Sequence, residues 1–342
     1  MDDMETRILG TDEGSIMEAG RIIARGGLVA FPTETVYGLG ADATNGSAAA
    51  RIYAAKGRPS DNPLIVHIAD PKEIEGLAAD ISETARRLID AFMPGPFTVI
   101  VNKSDSVPAT VTANMGTVAV RCPENGIARR LIRAAGVPIA APSANLSGKP
   151  SPTTAAHVIA DMSGRIDAII DGGDCMVGVE STIVDATKEP PVLLRPGGVT
   201  LDMIRDVIPG AAVDKNVLSS IGEGEQPLCP GMKYKHYSPD AEVIVVEGEP
   251  KAVKARIEDL LKENSHRTCG VLTMGGNSYD SAVILSGGGS NREYAKNLFK
   301  NLREFDRLGV ELILAEFESR DGYSLAVRNR LYKAAAQHVI KV

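Results

Sequence analysis

The 342-residue chain contains no tryptophan, and only eight tyrosines and six phenylalanines. A surface that grips single-stranded nucleic acid by stacking needs aromatic side chains interleaved with cations, and no such stripe occurs here. Cysteine is equally sparse. Cys122, Cys175, Cys229 and Cys269 stand far apart, with no Cys-x-x-Cys pair, so neither a zinc site nor a disulfide framework is suggested. They read as reduced thiols, mostly core filler. No apolar run approaches the length needed to span a bilayer, and Met1-Asp2-Asp3-Met4-Glu5 is acidic where a targeting peptide would be basic. No membrane partner is expected, and the expected compartment is the cytoplasm.

Positive charge is in deficit overall, with a net charge of −7. The deficit is regional: residues 1–213 carry 26 acidic and 19 basic side chains, and residues 214–342 carry 18 of each. Yet the arginines of the first part stand in glycine- and proline-rich loops. That pattern favours a focused pocket for a small anion over a broad nucleic-acid footprint. The length exceeds what one core normally serves, so two domains are expected.

The stretch that organises the first part is Lys56-Gly57-Arg58-Pro59-Ser60-Asp61-Asn62-Pro63. Before it, Leu28–Phe31 predicts a buried strand stopped by Pro32, which opens into the hydroxyl- and glycine-rich Thr33–Gly40. Ser47–Ala55 predicts a helix that delivers Lys56 and Arg58 at its C-terminal end. Cations there are commonly a solvated cap on the helix dipole, but two prolines stiffen the following loop as suits an anion site. Leu64–Ile68 is then a strand with His67 inside it.

Further helices are expected over Ser15–Arg25, Pro71–Ala79, Ser82–Phe92 and Gly126–Ala135, and strands over Phe97–Val101, Gly116–Arg121 and Val137–Ala141. The last strand empties into Pro142–Pro152, a loop dense in short hydrogen-bond donors that suit phosphate or carboxylate oxygens. Gly178–Asp185 brings Glu180, Ser181 and Thr182 to the start of a strand, and Val192–Arg195 ends at Pro196-Gly197. Arg58, Arg121 and Arg195 each fall near a proline at the boundary of an apolar element. Three such arginines among hydroxyl-rich strand ends look like the rim of one cavity, where ligands of open α/β sheets gather.

Residues 214–240 read as a linker, although Cys229–Pro239, with Tyr234, His236 and two lysines between prolines, is too specialised for a tether. From residue 241 a smaller Rossmann-like α/β domain is expected, with strands at Glu242–Val246, Cys269–Thr273, Val283–Leu285 and Val310–Phe317. Its helices are Pro250–Glu263, Asn291–Leu308 and Ser324–His338. Gly287-Gly288-Gly289-Ser290 precedes one of them, and a flexible connection is expected there rather than an anion site.

Four segments, Phe31–Leu39, Lys56-Gly57-Arg58-Pro59, Pro142-Ser143-Ala144-Asn145 and Pro230–Pro239, together resemble the longer, two-domain form of the YrdC-like family. The likeness covers essentially the whole chain. It implies a twisted, open α/β sheet with a concave cavity in the N-terminal domain. It also implies a nucleotidyltransferase that condenses L-threonine, bicarbonate and ATP, the last with magnesium, into threonylcarbamoyl-AMP and releases pyrophosphate. Downstream proteins would pass the threonylcarbamoyl group to tRNA beside the anticodon, and any direct contact with tRNA would be weak. By motif, Thr35, His67, Arg121, Ala141 and Ser181 would hold threonine. Arg58, Asn62, Thr117, Ser143, Ser151 and Arg195 would surround the nucleotide, with Lys56 and Asn145 near the reacting groups. Tyr234, with His236, would reach over the cavity toward ATP. Lys235 stands where the family commonly has arginine, a conservative departure.

The residue types suit the chemistry. Charge builds on phosphoryl oxygens and on departing pyrophosphate, so positioned cations act electrostatically and no activated nucleophile is required. Two other functions compete: a double-stranded RNA or tRNA-binding module without catalysis, and a carbamoyl-transfer enzyme. The acidic balance opposes the first. The missing cysteine pairs and acyl-phosphatase-like segment oppose the second.

Overall fold

The computed structural model describes residues 5–219, 227–230 and 237–342. These form two compact α/β units. The described part of the first ends at Pro230, and the second holds Tyr237–Val342 with the short segments Gly148–Pro150 and Val177–Val179.

The first unit is built on eleven strands: β1 (Arg7–Leu9), β2 (Val29–Phe31), β3 (Gly38–Asp42), β4 (Ile65–His67), β5 (Phe97–Asn102), β6 (Thr117–Arg121), β7 (Ile139–Ala141), β8 (Ala168–Ile170), β9 (Thr182–Asp185), β10 (Val192–Arg195) and β11 (Ala212–Val213). Their order is β1-β8-β2-β3-β7-β4-β6-β5-β9-β10-β11, and the sheet is mixed. Helices α1 (Glu13–Ala24), α2 (Gly46–Lys56), α3 (Glu83–Phe92), α4 (Ala109–Thr112), α5 (Gly126–Ala135), α6 (Ala155–Met162) and α7 (Leu201–Val207) complete the unit. Central strands such as β2, β4 and β7 are buried along their whole length, which is why they appear in sequence as unbroken apolar runs. α1 and α5 pack on each other, and Ile16, Ala19, Ile23, Leu131 and Ile132 share one core with Val29, Phe31, Ile139 and Ile170.

The ends of these helices are set by local chemistry. Asn45 and Asn125 cap α2 and α5, each accepting two backbone N–H bonds, so that groups the helix cannot satisfy itself are paired. Pro71–Gly76 is a 3-10 turn and not the expected α-helix. Its run is short, with Asp70 capping one end and Leu77 bonding back to Ile74.

The second unit carries β12 (Glu242–Glu247), β13 (Cys269–Met274), β14 (Val283–Gly288), β15 (Leu312–Phe317) and β16 (Val339–Lys341), all parallel in the order β14-β13-β15-β12-β16. α8 (Pro250–Glu263), α9 (Asn291–Arg307) and α10 (Ser324–Ala334) connect them. Two expectations change here. α10 stops at Ala334 and does not reach His338, because Ala336 and Gln337 turn the chain through positive φ and Val339-Ile340 joins the sheet beside β12. Nor is the glycine run a flexible connection. Gly287 and Gly288 finish β14, Ser290 caps α9, and Glu293 accepts from the Gly289 N–H. With carboxylate and hydroxyl oxygens already at that helix start, no cradle for an outside anion is left open.

Candidate active site

Lys56 ends α2 and is almost fully buried, so it is not a solvated cap. Its Nζ donates to the Ser143 carbonyl at 2.5 Å and to the Asn145 carbonyl, with the Asn145 side-chain oxygen at 3.5 Å. The loop it meets is also tied to the chain after β2: Leu39 N–H donates to Pro142, Ala144 N–H donates to Tyr37, and Gly38 bridges Ser143. Ser143 Oγ donates in turn to Asn145 Oδ1. Gly57 beyond the helix is left-handed, at φ 60°. It releases the chain into a turn that Arg58 closes, with Nη2 on the carbonyls of Asn62 and Pro63 at 3.3 and 3.2 Å. Asn62 is 1% exposed, and its Oδ1 has no partner among the described residues.

The second cluster forms where β4 and β6 run parallel with His67 opposite Arg121. Arg121 Nη1 donates to Thr35 Oγ1 at 2.9 Å, and Nη2 donates to Glu34, both partners buried. Thr33 Oγ1 organises this segment by accepting from the N–H groups of Thr35 and Val36 and donating to the Val36 carbonyl. The buried Nε of Arg121 has no partner among the described residues. His67 sits edge-on to Phe31, and its Nδ1 lies 3.1 Å from the Ile65 carbonyl. The Ile139 carbonyl also faces the ring, and a neutral imidazole has one N–H to give to the two carbonyls and one nitrogen with a lone pair. Burial first, and the Arg121 cation second, push the His67 pKa down to about 3. The ring is therefore neutral at physiological pH. Ala141, the last residue of β7, lies opposite Ile65 on β4.

The third cluster joins β5, β9 and β10. Arg195 donates from Nε and Nη2 to the carbonyl and hydroxyl of Ser181, at 3.0 and 3.1 Å, and from Nη1 to the Pro230 carbonyl. Thr98 Oγ1 lies 2.7 Å from Ser181 Oγ. Ser151 Oγ donates to the buried carboxylate of Glu180, the residue before Ser181. Gly197 makes the packing possible: a Cβ there would meet the Glu180 carbonyl at 2.4 Å.

Many of the named residues thus gather into three groups: Lys56 bonded to Ser143 and Asn145, Arg121 bonded to Thr35 with His67 opposite it on the neighbouring strand, and Arg195 bonded to Ser181. Thr117 stands apart, since it opens β6 while Arg121 closes it, about 13 Å along the strand. Tyr234 and His236 lie outside the described residues. Glu34, Thr33 and Thr98 take part although the sequence motifs did not assign them a role. The first two lay inside the Thr33–Tyr37 motif, whereas Thr98 gave no signal beyond being a hydroxyl in an apolar strand.

Residues 21–197 match the model of the Sua5, YciO and YrdC proteins, described as telomere recombination, and residues 199–336 match the C-terminal domain of threonylcarbamoyl-AMP synthase. The threonylcarbamoyl-AMP synthase of Pyrococcus abyssi is 50% identical over 97% of this chain and 97% of its own. The chain belongs to the threonylcarbamoyl-AMP synthase family. The Bacillus subtilis threonylcarbamoyl-AMP synthase is 46% identical over 97% of this chain and 96% of its own. The solved structure of P. abyssi Sua5 complexed with L-threonine superposes with a TM-score of 0.94 at 49% identity, covering 98% of this chain and all of that one. As a family member the chain is an enzyme, and the binding-module reading loses to the catalytic one. Among the described residues no helix is long and apolar enough to cross a membrane.

Proposed function

We propose that this chain forms threonylcarbamoyl-AMP from L-threonine, bicarbonate or CO2, and ATP, with release of pyrophosphate, as the first step of threonylcarbamoyl modification of tRNA. It works in the cytoplasm and hands its product to tRNA threonylcarbamoyl-transferase proteins. The observation that carries the reading is the Arg121 cluster: a buried guanidinium with a donor left over, next to a neutral histidine with a lone pair. Such a pair suits an amino acid, whose carboxylate meets Arg121 and whose hydroxyl or amine donates to the unprotonated ring nitrogen of His67. Thr35, Ala141 and Ser181 complete that end.

The nucleotide lies toward Arg58, Asn62, Thr117, Ser143, Ser151 and Arg195, with Tyr234 and His236 over it. Magnesium comes as part of the nucleotide substrate, as suits a hard cation that binds through phosphates and keeps much of its water. The threonine amine takes up CO2 to give a carbamate, and a carbamate oxygen attacks the α-phosphorus as pyrophosphate departs. Arg58 and Arg195 stabilise charge that grows on the phosphoryl oxygens. Lys56 acts by holding the Ser143–Asn145 loop, and Asn145 with it, against the reacting groups.

Pyrophosphate release from ATP, assayed with each component withheld in turn, tests the proposal. Release that requires both threonine and bicarbonate is expected. Equal release without threonine would overturn it.

A further inference from the structure

Glu34 is a buried carboxylate that the reaction itself does not use. It lies one residue before Thr35 and is 6% exposed, against 4% for Arg121. Its Oε1 accepts from Arg121 Nη2, and its Oε2 accepts from the Asn125 N–H at 3.2 Å. Asn125 is the N-cap of α5, its own side chain accepting from Ile127 and Ala128. One oxygen of Glu34 is thus fixed to the start of a helix that packs into the main core, and the other to the guanidinium. Thr35 Oγ1 holds the neighbouring Nη1.

A guanidinium has five N–H donors in a rigid plane, so two fixed contacts determine where the remaining ones point. With Nη2 on Glu34 and Nη1 on Thr35, the unpartnered Nε presents the free edge of the fork. We propose that Glu34 is a positioning residue for the amino-acid substrate: it locks the Arg121 guanidinium so that its Nε edge receives the substrate carboxylate. Its charge also balances that of Arg121, so that the buried cation is compensated before the ligand arrives. The inference rests on the assignment of Arg121 to the threonine carboxylate.

The test is steady-state kinetics and threonine titration calorimetry on the full chain. Glu34→Gln keeps an acceptor but loses the charge. It should raise the threonine KM about 10–100-fold, the size of a lost hydrogen bond to a charged group, and leave the ATP KM unchanged. Glu34→Asp should recover part of the loss. Because Glu34→Gln leaves a buried cation unbalanced, a second comparison adds it to Arg121→Gln, so that in the double variant both charges are gone. There the added Glu34→Gln change should cost nothing further in threonine affinity, since a residue acting through Arg121 is silent without it. A Glu34→Gln threonine KM within twofold of the parent overturns the proposal, and so does an additive loss in the double variant. If the parent chain binds no threonine, the site assignment itself fails, and this inference fails with it.

Discussion

At the scale of single residues, Lys56 and His67 show how burial alters what a polar side chain can do. The Nζ of Lys56 satisfies the carbonyls of Ser143 and Asn145. Lys56→Met would remove both bonds to buried carbonyls, at about 1–3 kcal/mol for each. The urea midpoint should fall with the slope unchanged, and synthase activity should fall with it, because the Ser143–Asn145 loop loses its tie. For His67 the sign follows from its lowered pKa. The unfolded chain takes up a proton near the ordinary value of 6.5, whereas the folded one does so near 3. Stability from the neutral ring is therefore complete above about pH 6.5 and is lost progressively as the pH falls toward 3. The imidazole carbon shifts in NMR should stay those of a neutral ring throughout pH 5–8, and threonine kcat/KM should show no ionisation traceable to His67 in that range.

At the scale of elements, two glycines mark places where the backbone matters more than any side chain. Gly57 leaves α2 in the left-handed region, and a Cβ added there would meet nothing within 4 Å. Gly57→Ala should cost about 1–2 kcal/mol from conformation alone and only modestly affect turnover. Gly197 is the opposite case: a Cβ would meet the Glu180 carbonyl at 2.4 Å and the Thr182 nitrogen at 2.5 Å. Those are backbone atoms and cannot swing aside. Gly197→Ala should push Ser181 away from Arg195 and lose most activity, a contrast that melting curves and pyrophosphate release measured on both variants will show. Much at this scale was legible from sequence. Gly126–Ala135 is bounded by an asparagine cap and a left-handed glycine, both readable as letters. β16 was not legible, because Val339-Ile340 follows a helical pattern and becomes a strand only by finding the edge beside β12.

At the scale of the whole molecule, the four thiols offer a probe of how the units open. All four are buried. Burial pushes Cys122 up to about 11 and Cys175 up to about 12, and raises Cys269 as well, so the reactive thiolate is nearly absent at neutral pH. A thiol reagent should therefore modify the native chain only through unfolding. Cys122, Cys175 and Cys229 belong to the first unit and Cys269 to the second. Peptide mapping during labelling should place the first three in one kinetic class and Cys269 in another, as expected of two cooperative units. A single rate for all four would mean that the units open together.

The sequence by itself determined the α/β class, the presence of two cores, and the family, because buried strands need apolar runs, helix ends need particular caps, and several ordered motifs recur together. It also marked Arg58, Arg121 and Arg195 as exceptional, since each stands where an apolar element ends. Only the tertiary structure decided which partners these cations have. Glu34 and Arg121 are 87 positions apart and meet because β6 lies within reach of the turn after β2. Cys229, in a stretch that reads as linker, is fully buried beside Ile65, Ile100 and Leu194. Contacts of that kind depend on strand order and register, and those are fixed by packing the whole chain at once rather than by any window of it.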